Sequence, residues 1–207
     1  MPLAELRLAV GEAVPPGDVR PFLREAGRRV ELFGDRGRAH AFVPSDYELA
    51  YGVLHALAAG PHLRGRRFCE WGCGFGAVAG LAALLDFESF GIEIEAELVA
   101  EARHLAEDFG LPIEFAHGSF VPRGAEARVL AGGTYDWLTT DGDYAYDELG
   151  LDPDEFDVVY AYPWPDEEAV TAALFERYAG PGAVLVTYHG GDGFRVRRKV
   201  GRRPRRR

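Results

Sequence analysis

The chain has 207 residues, 47% of them hydrophobic and 27% charged, which suits a soluble globular domain burying about 70% of its unfolded surface. Nine of the 23 basic residues lie between Arg195 and Arg207, leaving 14 basic against 33 acidic residues in a body of charge −19 beside a tail of +9. That body disfavours wholesale binding to a phosphate backbone. The one lysine, Lys199, lies in the tail, which excludes a lysine-terminated phosphate loop and a Schiff-base lysine for pyridoxal phosphate.

In chain order, residues 1–40 are rich in Pro, Gly and Arg, and a helix is predicted only over 19–29. The first 60 residues are therefore expected to form a cap across a pocket mouth. Ser45-Asp-Tyr-Glu48 has the spacing of a capping box, opening a helix that stops at Gly60-Pro61. Strands are predicted at 68–71, 89–94, 112–116, 156–161 and 183–188. Helices at 77–85, 95–109 and 166–178 alternate with them. This alternation implies an α/β, doubly wound (Rossmann-like), mostly parallel sheet, its first five strands in the order 3-2-1-4-5. A sixth, edge strand at 194–200 would leave the sheet short of seven. Domain limits follow: a single domain over 1–194 with a core at 61–194, an acidic insert at 119–157, and a basic tail at 195–207, part edge strand and part disordered. Between Asp136 and Asp157 the insert has nine acidic residues and no basic one, the pattern of a solvated lid.

Cys69 and Cys73, the two cysteines, complete neither a disulfide framework nor a four-thiolate site. They read as reduced thiols in a cytoplasmic protein. The N-terminus lacks an export signal, and no apolar run reaches about 18 residues, so no membrane association is expected. The histidines show no paired metal-ligand spacing, and no metal is assigned.

Glu70 closes the first predicted strand and is followed by Gly72-Cys-Gly-Phe-Gly76 and a helix. Alternate glycines let a backbone turn sharply and approach a ligand, and a helix N-terminus offers free N–H donors. Glu93, seventeen residues beyond Gly76, ends the next strand, where a carboxylate accepts both hydroxyls of a ribose. Glu95 competes for that role but also suits the start of the following helix. Gly72, Gly74 and Ala77 fit a nicotinamide-dinucleotide fingerprint as well, although no Tyr-x-x-x-Lys pair accompanies them.

These residues resemble the class I S-adenosylmethionine-dependent methyltransferases over roughly 67–189. Glu70, Gly72, Gly74 and Gly76 match the family's first motif, and Phe90-Gly-Ile-Glu93 is similar to its second. The resemblance implies that Glu93 holds the ribose of S-adenosylmethionine and Ile94 packs on the adenine. It places Cys73 and Tyr160 in the cofactor site too. Ala116-His-Gly-Ser-Phe120 is similar to the third motif, with Ser119 where the family often has aspartate, and adds Ser119 and Phe120. Tyr162-Pro-Trp-Pro165 stands where cofactor and acceptor meet. It resembles the Asn/Asp-Pro-Pro-aromatic motif of base methyltransferases, with Tyr162 replacing the polar acceptor. Tyr162 and His189 are the catalytic candidates; Tyr47, Pro163 and Trp164 are the candidates for the substrate pocket.

The implied reaction is in-line methyl transfer to an unidentified nucleophile. Two other classes stay open: a non-catalytic nucleoside- or partner-binding module, and a nicotinamide-dependent oxidoreductase. Arg202-Arg-Pro-Arg-Arg-Arg207 suits a solvated end or contact with an anionic partner such as RNA.

Overall fold

The computed structural model describes residues 2–10, 15–34, 42–133, 135, 138–140 and 142–201. Asp136 and Asp141 of the acidic run and residues 202–207 of the tail lie outside them.

Seven strands form one sheet: β1 (Leu3–Glu5), β2 (Arg67–Trp71), β3 (Glu88–Glu93), β4 (Ile113–His117), β5 (Val158–Ala161), β6 (Val184–Tyr188) and β7 (Phe194–Lys199). Their spatial order is β1-β7-β6-β5-β2-β3-β4. The strands β2 to β6 are parallel and follow the expected 3-2-1-4-5 order, and β7 runs antiparallel to β6. The expectation of fewer than seven strands is corrected by β1, which pairs antiparallel with β7 in the register Leu3↔Lys199. A three-residue edge strand is too short to show an alternating pattern, and its pairing partner lies at the other end of the chain.

Period-two alternation divides the sheet's side chains between two cores. Phe68, Val158, Tyr160, Val184 and Val186 face the first, with α1 (Val19–Phe33), α2 (Tyr47–Ala59), α3 (Ala77–Leu84) and α4 (Ala96–Asp108). Cys69, Trp71, Val159, Ala161 and Leu185 face the second, with α5 (Glu126–Gly132), α6 (Ala145–Leu149) and α7 (Glu168–Tyr178). Strands buried on both faces explain the near-continuous apolar run of β5. No helix among the described residues is long and apolar enough to cross a membrane.

Three local expectations change. First, the N-terminal region packs into the body as well as toward the pocket: β1 joins the sheet, and α1 seats Phe22 against Gly80 of α3. Second, Asp46 caps α2, accepting the Leu49 N–H at 3.0 Å, while the Ser45 hydroxyl meets that of Tyr160 at 2.5 Å. Third, the described part of the acidic segment packs on the body as well as facing solvent. It carries α6, whose Tyr146 and Leu149 are buried, and three of its carboxylates pair with arginines of the body: Glu148 with Arg103 at 3.0 Å, Glu155 with Arg67 at 3.2 Å and Asp147 with Arg123. Exposed pairs of this kind contribute about 0–1 kcal/mol each, so burial of α6 dominates. The strand expected at 194–200 is present as β7, with β1 outside it so that it is not the sheet's edge. Lys199 is buried, its ammonium donating to the carbonyls of Arg177 and Ala179 where α7 ends, the negative pole of that helix.

Candidate active site

The site begins where β2 stops. Gly72, Gly74 and Gly76 take φ of 71°, 52° and 67°, a left-handed region open to glycine at little cost. The N–H groups of Gly72 and Cys73 both donate to the Ile92 carbonyl, at 2.9 and 3.0 Å, which ties the loop to β3. A Cβ on Gly76 would lie 2.6 Å from the Phe115 ring, so this glycine allows α3 to pack on the sheet. A Cβ on Gly72 would meet nothing within 4 Å and would point into open space.

Two buried carboxylates organise the loop. Glu93 accepts the Gly74 N–H at 2.8 Å through one oxygen, and those of Ile94 and Glu95 at 2.8 and 3.0 Å through the other. Burial pushes its pKa up, and the three N–H donors oppose that shift. Glu70 turns toward α3 and accepts the Ala79 N–H at 2.8 Å in the helix's first turn. Burial pushes Glu70 well above the usual carboxylate range; the Ala79 bond opposes the shift and the Glu93 charge adds to it.

The folded chain keeps the Glu70 proton above 4.5, the ordinary value, so this group's contribution to stability falls as pH rises from there towards the folded pKa. Glu70→Gln retains an oxygen for Ala79 and cannot ionise. Its melting temperature relative to wild type is expected to rise between about pH 5 and about pH 8. An equal difference at both values would refute the assignment.

Two cavities open along the carboxyl ends of the strands. The larger, about 350 Å³, is lined at one end by Trp71, Gly72, Glu93, Ile94, Ser119 and Phe120. Tyr162, Pro163, Trp164, Glu168 and His189 line its other end. The smaller, about 20 Å³, holds Ser45, Tyr47, Glu70, Cys73 and Tyr160, and Gly72 and Tyr162 border both. In the larger cavity Trp71 stacks on Phe120 with ring centroids 5.0 Å apart and planes 7° from parallel, forming a flat wall. In the smaller, the buried Tyr47 hydroxyl has no hydrogen-bond partner among the described residues, and burial with the nearby Glu70 charge pushes its pKa up.

Similar folds occur among solved structures. A methyltransferase from Geobacter sulfurreducens aligns with 91% of this chain and 93% of its own, at TM-score 0.55 and 13% identity. An RNA methyltransferase from Salinibacter ruber, in complex with S-adenosyl-L-homocysteine, aligns with 79% of this chain and 98% of its own, at TM-score 0.51 and 18% identity. The fold is that of a class I methyltransferase. No protein-family model and no curated protein matches the chain.

Within this methyltransferase fold the residues singled out from sequence fall into three groups. Glu93, Ile94, Ser119 and Phe120 meet in the larger cavity with Tyr162, Pro163, Trp164 and His189. Glu70, Cys73, Tyr160 and Tyr47 meet in the smaller, which separates Tyr47 from Pro163 and Trp164. Gly74 and Gly76 line neither; the Phe42 ring covers Gly74. Ser119 uses its hydroxyl within the protein, donating to the Thr139 carbonyl at 2.7 Å and accepting the Val121 N–H at 3.1 Å. Both ring nitrogens of His189 are likewise engaged: Nδ1 with Glu168 at 2.8 Å and Nε2 with the Thr187 hydroxyl at 2.8 Å. An ionised Glu168 only accepts, so Nδ1 carries the proton, and a neutral ring accepts from Thr187 at Nε2.

Sequence reasoning missed Phe42, Val43, Thr139, Glu168 and Thr171, which also line the larger cavity. Glu168 carried one usable signal. It sits in the first turn of a helix opened by Pro165, beside Tyr162-Pro-Trp-Pro165, but an acidic residue there also suits an ordinary helix start. Among the described residues no group of three or more His, Cys, Asp or Glu is placed to hold a metal ion.

Proposed function

We propose that the protein is an S-adenosylmethionine-dependent methyltransferase. The supporting observation is the larger cavity: a buried carboxylate, Glu93, lies at one end beside the open face of Gly72, and the same space continues to Tyr162 and Trp164. The residues fit the cofactor. Glu93 suits the ribose hydroxyls, and Ile94 with the Trp71–Phe120 wall suits the adenine. The Tyr47 hydroxyl, without a partner among the described residues, and Glu70 suit the polar amino-acid end. In solved structures of this fold, the Salinibacter ruber RNA methyltransferase is in complex with S-adenosyl-L-homocysteine, the demethylated product.

When bound, the cofactor supplies a methyl group made electrophilic by positively charged sulfur. The chain's task is then positioning and exclusion of water, and effective molarities of about 10⁵ M or more come from such positioning. Tyr162, which borders both cavities, stands between the cofactor and acceptor ends. Its ring is held edge-on against Tyr188 at 4.7 Å between centroids. Glu168 fixes the His189 ring through Nδ1, and the Thr187 hydroxyl, able to donate or accept, meets its Nε2. Cys69 and Cys73, free and buried, suit a reducing compartment, and we assign the protein to the cytoplasm.

Calorimetry tests the reading. S-adenosylhomocysteine is expected to bind with a Kd near 1 µM, about −8 kcal/mol, and NAD not to bind. A folded protein that does not bind S-adenosylhomocysteine would overturn it.

A further inference from the structure

Resting on the methyl-transfer reading, we infer that the acceptor carries a phosphate group, received by Arg195 and Arg197 of β7 beside the larger cavity. Strand pairing sets these two arginines on one face of the sheet. Arg195 lies opposite Thr187 of β6, and Arg197 lies between Leu185 of β6 and Glu5 of β1. Leu185 belongs to the core under α7, so both arginines stand on the α7 side, about 6.6 Å apart along the strand. One anion can bridge them.

The pair adjoins the cavity through a single residue. The Arg195 side chain is 54% exposed, and its guanidinium lies 3.7 Å from a Glu168 oxygen, beyond hydrogen-bond reach. Glu168 in turn lines the cavity. A phosphate on Arg195 therefore sits outside the cavity's carboxylates, one side chain away from the space assigned to the acceptor.

Arg197 supplies an independent observation. It is half-buried, its Nε is closed off from solvent, and among the described residues nothing accepts a hydrogen bond from that Nε. Glu5 and Glu168 are near enough to act on its charge, yet among the described residues no carboxylate forms an ion pair with it. Burial makes the charged guanidinium costly, the Arg195 charge adds to that cost, and the two carboxylates offset part of it. Buried donors in folded proteins nearly always have a partner, so an unmet one at a cation points to an absent anion or water. The packing that closes off Nε also fixes the fork, and its terminal nitrogens stay open to a ligand. A carboxylate has two oxygens, which one guanidinium fork fills. A phosphate monoester has three and carries more charge, enough to engage both arginines.

The test titrates uridine 5′-monophosphate, uridine and uridine 5′-carboxylate by calorimetry, at low salt, into the full chain saturated with S-adenosylhomocysteine. The monophosphate is expected to bind about tenfold more tightly than uridine, with the carboxylate between them. Arg197→Gln should erase that preference, and Arg195→Gln should reduce it severalfold, while S-adenosylhomocysteine still binds both variants. Arg177→Gln removes the same charge from the last turn of α7 and should leave the preference intact, which a general charge effect would not. Should Arg197→Gln fail to fold, Arg195→Gln at an exposed position still decides. A uridine decanucleotide separates two sources of the phosphate. Affinity at least tenfold above the monophosphate, with a salt slope about 0.7 shallower in Arg197→Gln, identifies a polynucleotide acceptor, and affinity equal to the monophosphate identifies a small phosphate ester. Equal binding of monophosphate and uridine, no binding of either, or a preference that survives in both Arg195→Gln and Arg197→Gln overturns this inference and leaves methyl transfer standing. Absence of S-adenosylhomocysteine binding by folded protein overturns the methyl-transfer reading, and with it the assignment of this phosphate to an acceptor.

Discussion

Glu93→Ala is expected to weaken S-adenosylhomocysteine binding by about a hundredfold. Hydrogen bonds to a charged group are worth about 1.5–3 kcal/mol each, and two ribose hydroxyls on one carboxylate give about 3 kcal/mol at the lower figure, with tenfold in affinity for each 1.4 kcal/mol. A further loss comes from the loop. The alanine would leave the N–H groups of Gly74, Ile94 and Glu95 without their acceptor, so the glycine turn would lose its tie to the start of α4. Glu93→Gln separates the two effects, because the amide keeps one oxygen for the loop but loses the charge. Its affinity should fall about tenfold with a smaller change in melting temperature. Calorimetry beside thermal melts reads both. Wild-type affinity in a folded Glu93→Ala protein would remove the carboxylate from the ligand's contacts.

What the sequence shows of this fold is what neighbouring residues decide among themselves. Glu70 to Gly76 is one continuous turn, so its glycines announce the strand–loop–helix without any distant partner. The order of the five parallel strands follows from alternation with helices and the handedness of crossovers. By contrast, β1 depends on Lys199 and its neighbours at the far end of the chain, and three residues leave no periodicity. The acidic run resembled a lid because its arginine partners, Arg67, Arg103 and Arg123, are remote in sequence from the carboxylates. Ser45 and Asp46 differ by one position as helix caps, and a tertiary contact decides between them: Tyr160 engages Ser45 and leaves Asp46 for Leu49.

The candidate site divides in the same way. Glu93 and Ile94 were legible because a strand end fixes where the next side chains go. Glu168 was not, since a first-turn glutamate has the same sequence signature whether it faces solvent or a cavity. What distinguishes it is a tertiary contact, its bond to His189 at 2.8 Å. The position of His189 at the sheet's edge was readable, but its engagement on both nitrogens depends on Thr187 two residues before it and Glu168 on another element.

Two glycines of one motif should fail in different ways when a methyl group is added. In Gly76→Ala the new Cβ lies 2.6 Å from the Phe115 ring and 3.2 Å from the Ala102 Cβ, in a position with φ of 67°. A left-handed alanine costs about 1–2 kcal/mol and overpacking adds about 1–3 kcal/mol, so the expected loss of stability is about 2–5 kcal/mol. Gly72→Ala bears the same backbone cost, about 1–2 kcal/mol, but its methyl meets no protein atom within 4 Å. It projects instead into the space assigned to the cofactor, and S-adenosylhomocysteine affinity should fall about tenfold or more while the chain still folds. Urea unfolding and calorimetry on both variants distinguish these outcomes. Equal stability losses would place a hidden contact at Gly72, and undiminished binding in Gly72→Ala would move the ligand away from the loop. The contrast separates the packing role of the third glycine from the ligand-facing role of the first.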